Sequence, residues 1–140
     1  MGGVWKAEDL ELRTVVALET PRAARDERSR ERFRREILLA RKVTHPNVSR
    51  IFDFGAHDAA DGHVAFLTME LLGGRTLEES IAREGPLPAG EALRVLRDVA
   101  AALSAAHAVG VVHRDLECAK VMLVPGLGDA DRALLKRTGP

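Results

Sequence analysis

The chain has 140 residues, 46% hydrophobic and 30% charged, which suits one globular domain and excludes a disordered polyampholyte. Lys plus Arg and Asp plus Glu each total 21, so no net charge steers the protein to nucleic acid or to a membrane surface. The one cysteine, Cys118, excludes an internal disulfide framework and suits a reducing compartment; without a second thiol it is expected to be an incidental small side chain.

No targeting segment is legible. Met1-Gly2 suits myristoylation only if Ser or Thr stands at the sixth position, and Lys6 stands there. The N-terminus also lacks the basic start and apolar run of a secretory signal. Along the chain, residues 3 to 19 alternate loosely and predict two strands joined by a charged turn. From Pro21 to Lys42 the pattern turns helical, with Phe33, Ile37 and Ala40 at three- and four-residue spacing. Nine basic and four acidic side chains crowd this segment; a solvated face laced with i,i+4 pairs accounts for them, and no aromatic or Gly-rich element suggests nucleic-acid readout.

His45-Pro46-Asn47 stops that helix, because proline disfavours helical geometry in the residue before it. VSRIFDFGAH and HVAFLTMELL then flank the polar loop DAADG as a hairpin, and Gly73-Gly74 ends its second strand. Thr76 and Glu79 form the capping box of a short helix. The segment after Pro88 predicts a long helix with Leu93, Leu96, Ala100, Leu103 and His107 on one stripe and Gly110 at its C-terminal cap. His107 is a helix-end residue rather than a ligand, since no Cys or acidic partner stands at metal-ligand spacing. The longest apolar stretch, from Val99 to Val112, is shorter than the roughly 18 residues a spanning helix needs. Finally VMLV, from Val121, reads as a strand.

This order of elements and motifs resembles the protein kinase family, in particular the eukaryotic-like serine/threonine kinases of bacteria. MGGVWKAED resembles the end of the Gly-rich loop, with Gly2 as its last glycine. VALE resembles the strand motif V-A-I-K, and Glu36 in RFRREILLARK takes the place of the regulatory-helix glutamate. FLTMELL resembles the hinge, with Met69 as gatekeeper and Glu70 to Leu72 as the backbone facing adenine. HRDL, from His113, resembles the opening of the catalytic loop. The resemblance implies a proton acceptor at Asp115, with His113 and Arg114 as its structural neighbours. It also implies nucleotide contacts at Gly2, Val4, Ala17, Glu70, Leu72 and Met122, of which Val4, Ala17 and Met122 would sandwich the purine.

The departures fall on charge. Phosphoryl transfer is mostly positioning and charge stabilisation of a triphosphate. Glu19 stands where the family has the phosphate-binding lysine, and would face Glu36. Two like charges about 4 Å apart cost up to roughly 4 kcal/mol at an effective dielectric near 20, unless the helix swings out or one carboxylate is protonated. Lys120 stands where an asparagine binds Mg²⁺, and an ammonium offers no acceptor to a metal. Glu117 replaces a lysine that approaches the transferred phosphate. Laid on the family's DFG stretch, the tail offers Arg137-Thr138-Gly139.

The expected fold class is therefore α+β, a partial kinase-like fold. An N-lobe of residues 1–72, lacking its first strand, holds an antiparallel sheet and one regulatory helix; a truncated C-lobe of residues 73–140 holds two helices, the catalytic loop and the following strand. The expected function is that of a catalytically inactive pseudokinase in the cytoplasm, with ATP held weakly and neither Mg²⁺ nor any other metal bound. The alternatives are an active serine/threonine kinase with rerouted charges, in which Lys120 and Arg137 neutralise phosphate, and a non-functional fragment of a kinase gene. Neither nucleic acid nor a membrane is an expected partner. A protein partner or self-association is, because the stripe from Leu93 to Leu103 lacks the helices that would cover it.

Overall fold

The apolar alternation at the start of the chain produces two antiparallel strands, β1 (Gly3–Asp9) and β2 (Thr14–Thr20), with Val4 opposite Glu19 and Ala7 opposite Val16. The computed structural model of the protein describes residues 3–20, 27–59, 62–126 and 131–136; Gly2 and the Arg137-Thr138-Gly139 triplet lie outside them. The Asp9 carboxylate closes the charged turn, accepting the N–H groups of Glu11 and Leu12 at 3.0 and 2.9 Å. Trp5, the only tryptophan, is half-exposed, and its ring lies where a side chain on Gly3 would stand.

Helix α1 (Glu27–Ala40) follows, buried along Phe33, Ile37 and Ala40 as the spacing predicts. Its other faces carry i,i+4 pairs such as Glu31 with Arg35 at 3.2 Å, worth about 0.2–0.5 kcal/mol each. The hairpin β3 (Ile51–Ala59) and β4 (Gly62–Glu70) completes a four-stranded sheet in the order β1-β2-β4-β3. Ala17 pairs with Met69 across β2 and β4. Both are buried with Phe33, Ile37 and Leu67, and Phe33 meets Phe54 edge-on at 5.6 Å. These elements form one compact unit; Val43–Ser49 and the described residues from Leu72 to Lys136 belong to a second, with its own core.

In the second unit, β5 (Arg75–Thr76), β6 (Val121–Val124) and β7 (Arg132–Leu135) form an antiparallel sheet in that order. Thr76 caps α2 (Leu77–Glu84) with the full capping box: its hydroxyl accepts the Glu79 N–H at 3.0 Å and the Glu79 carboxylate accepts its own N–H at 2.8 Å. Helix α3 (Ala89–Ala108) ends in a Schellman closure, Gly110 N–H to His107 O at 2.9 Å and Val111 N–H to Ala106 O at 3.0 Å, with Gly110 at φ 77°.

The core face of α3 is Val95, Val99 and Ala102, packed against Val121, Leu123, Ala133 and Leu135. Of the stripe legible in the sequence, Leu103 reaches this core, while Leu93 and Leu96 are 67% and 62% exposed. The helix is apolar on two faces, so three- and four-residue spacing alone does not say which one is covered.

The segment after α1 does more than end a helix. Asn47 is buried; its amide donates to the Ala133 carbonyl and its own carbonyl accepts the Leu135 N–H, both at 2.9 Å. Ser49 N–H adds a bond to the Leu135 carbonyl at 3.1 Å, and Asp98 of α3 accepts the Ala133 N–H at 3.2 Å. Strand β7 is thus held by β6, by α3 and by the 43–49 segment.

Gly73 and Gly74 differ sharply in what they tolerate. Gly74 has φ 128°, and a Cβ there would collide with the Leu123 carbonyl of β6; a Cβ on Gly73 would meet open space. Gly74→Ala is expected to destabilise the protein by more than about 1 kcal/mol, while Gly73→Ala is neutral or mildly stabilising. Urea unfolding of the two variants side by side checks this.

Candidate active site

The loop from His113 to Lys120 enters from the closure of α3 and leaves into β6, so both ends are fixed by the second core. Asp115 N–H bonds to the His113 carbonyl at 2.8 Å, a three-residue turn around Arg114, whose φ is 63°. A non-glycine residue in that region costs on the order of 1–3 kcal/mol and persists only where its surroundings impose it. Here the neighbour is Lys136, which follows β7. Its N–H donates to the Lys120 carbonyl at 2.7 Å, and its carbonyl lies 3.3 Å from His113 Nε2, which donates to it when protonated there.

Lys120 is the charged centre of this loop. It ends the 3₁₀ turn Cys118–Lys120, and its side chain is only 9% exposed. Its ammonium donates to Asp115 Oδ2 and lies 4.0 Å from Glu117 Oε1. Asp115 itself is open, at 68%. The Lys120 hydrogen bond holds the Asp115 carboxyl below the usual aspartate range, and the charges of Lys120 and His113 add to the effect against a smaller opposing desolvation. A carboxylate whose acceptor lone pair and charge are both engaged by an ammonium is a weaker proton acceptor than a free one. Glu117 reaches the same ammonium, and Cys118 is exposed.

The first unit holds most of the other expected site residues among those described. Glu19 is buried in β2. Glu36 of α1 is half-buried, and its carboxylate is engaged by Arg32, one turn earlier, at 3.3 Å. Ala17 lies in the core with Met69, and Val4 is exposed on β1. Glu70 is held within the sheet, its N–H donating to the Arg50 carbonyl at 2.9 Å and its carboxylate accepting the Arg50 N–H at 3.3 Å. In the second unit Leu72 is half-buried, and Met122 is buried in β6 opposite Thr76 and Leu134.

The side chain of Lys120 offers a magnesium ion no acceptor. Its ammonium brings only donors and already sits on Asp115. Among the described residues no group of three or more His, Cys, Asp and Glu side chains could hold a metal.

Two contacts of the loop were not foreseeable from motif spacing: the reach of Lys120 back to Asp115, and the support of β7 by Asn47 and Asp98. Opposite charges five residues apart were a signal for the first. For the second the sequence offered only a helix stop.

A model of the protein kinase domain matches residues 1–129. The chain is 40% identical over 133 residues to the serine/threonine-protein kinase pkn3 of Myxococcus xanthus, covering 94% of this chain and 24% of that protein. It is 34% identical over 125 residues to PknB of Mycobacterium leprae, covering 88% of this chain and 20% of the relative. The chain thus spans about a quarter or less of the length of these curated relatives. Among solved structures, the PknI kinase domain of Mycobacterium tuberculosis matches with a TM-score of 0.80 at 33% identity, over 98% of this chain and 54% of that domain.

The Asp115 ion pair sets a pH dependence. Because the folded carboxyl titrates below its unfolded value, the stability it contributes is fully present at neutral pH and is lost as pH falls through the depressed value. Thermal melts of the wild type and Asp115→Asn should differ at pH 7 and converge in acid, below the usual aspartate range.

Proposed function

Because this chain belongs to the protein kinase domain family, we propose that it is a serine/threonine kinase domain that transfers no phosphate from Mg-ATP. The observation that carries this reading is the Lys120 ammonium on Asp115: the residue in the proton acceptor's place is engaged by a cation standing where a metal ligand is needed. Glu19 supports it, a buried carboxylate in the place of the lysine that would meet the α- and β-phosphates. Electrostatic stabilisation is the largest contribution to such a reaction, and both substitutions reverse or remove a charge it uses.

In this reading ATP is held weakly and without Mg²⁺. In the first unit the backbone at Glu70 and the apolar side chains Val4 and Ala17 would offer adenine hydrogen bonds and apolar area, and Lys120 would offer a metal no acceptor. Leu93 and Leu96, exposed on α3, favour self-association, since burying a leucine is worth about 1.5–3 kcal/mol.

One observation favours a second reading, an active kinase with rerouted charge. Lys120 restores an ammonium beside Asp115, three residues beyond the position where Glu117 replaces the family's lysine. Incubation with labelled ATP, Mg²⁺ and a basic protein separates the two. Incorporation is expected to equal that of an Asp115→Ala control; incorporation clearly above the control establishes the active kinase instead. A thermal-shift titration is expected to show the same small ATP stabilisation with and without Mg²⁺. Light scattering after size exclusion should show association that Leu93→Ser/Leu96→Ser reduces.

A further inference from the structure

Among the described residues, Lys120 is the one buried charged side chain of the second unit. Its stem is not free to leave. The backbone N–H donates to the Glu117 carbonyl at 3.0 Å and the carbonyl accepts the Lys136 N–H at 2.7 Å, so Cα is fixed where the loop enters β6. From that root the ammonium reaches the Asp115 carboxylate and comes within 4.0 Å of Glu117. The same loop carries the positive-φ turn at Arg114. Two carboxylates converging on one point beside a strained turn repel each other unless a cation lies between them.

We propose that the Lys120 ammonium is a resident counter-ion that organises the His113–Lys120 loop by bridging the Asp115 and Glu117 carboxylates, supplying from the chain itself the positive charge that a divalent cation would otherwise bring to this place. Lys120 is then a positioning residue, and the loop is set before any ligand arrives. The inference rests on the reading that the wild-type loop holds no metal, and it adds that cation binding was exchanged for a covalently tethered charge.

The exchange is tested by reversing it. Lys120→Asn removes the ammonium and leaves Asp115 and Glu117 uncompensated. With EDTA present this variant is expected to melt several degrees below the wild type. Millimolar Mg²⁺ or Ca²⁺ should recover the loss, and Na⁺ at matched ionic strength should not. Adding Asp115→Asn to the variant should abolish the recovery. A Lys120→Asn protein that melts with the wild type in EDTA, or whose loss divalent cations do not reverse, overturns the proposal. The wild type is expected to melt at one temperature throughout. A Mg²⁺-dependent rise in the wild type would instead overturn the metal-free reading of the site, so the two failures are distinguishable. Should Lys120→Asn not fold, amine acetylation of the wild type followed by peptide mass analysis gives an independent reading. Lys120 should label more slowly than the exposed Lys6 and Lys42, and Asp115→Asn should accelerate it; equal rates at all three overturn the proposal.

Discussion

A buried ammonium must find a counter-charge, because removing a cation from water costs several kcal/mol that only an opposite charge or a set of acceptors restores. In this protein that requirement falls on Lys120, at the end of the His113–Lys120 loop. The 3₁₀ turn at Cys118–Lys120 aims the side chain back along the loop, and Asp115 turns to meet it. The short turn at Arg114 brings Asp115 into reach.

The loop can carry this load because the backbone beneath it is held from several sides. Val121 and Leu123 of β6 are buried against Val95, Val99 and Ala102 of α3, and Leu135 of β7 against both. Asn47 and Asp98 satisfy backbone groups of β7 that have no partner strand on that side. Lys136, the next residue, then bonds to the Lys120 carbonyl and faces His113. Packing fixes the strand, the strand fixes Lys136, and Lys136 positions the two ends of the loop.

Much of this was legible beforehand where local chemistry decides the outcome. The Thr76–Glu79 capping box, the Gly110 closure and the Phe33–Ile37–Ala40 face are short-range patterns with one physical solution each. The α3 stripe was legible only in part, since Leu93 and Val95 belong to different apolar faces of the same helix and tertiary packing chose between them. At the site, the resemblance singled out Asp115 as a match and Glu19, Glu117 and Lys120 as departures, because changes of charge stand out against a known pattern. Where their side chains go is a different matter. Glu36 pairs with Arg32, and Lys120 with Asp115, through rotamers that no motif encodes.

The two cores have an optical consequence. The Phe33–Phe54 core and the Val95–Leu123 core are separate clusters, and the chain's one tryptophan, Trp5, sits on β1 in the first unit. Its fluorescence therefore watches the sheet that carries Glu19 and Ala17. The helical circular dichroism comes from both units, with most of the helix in α2 and α3. A gap between the two signals on heating would measure how far the units unfold as one.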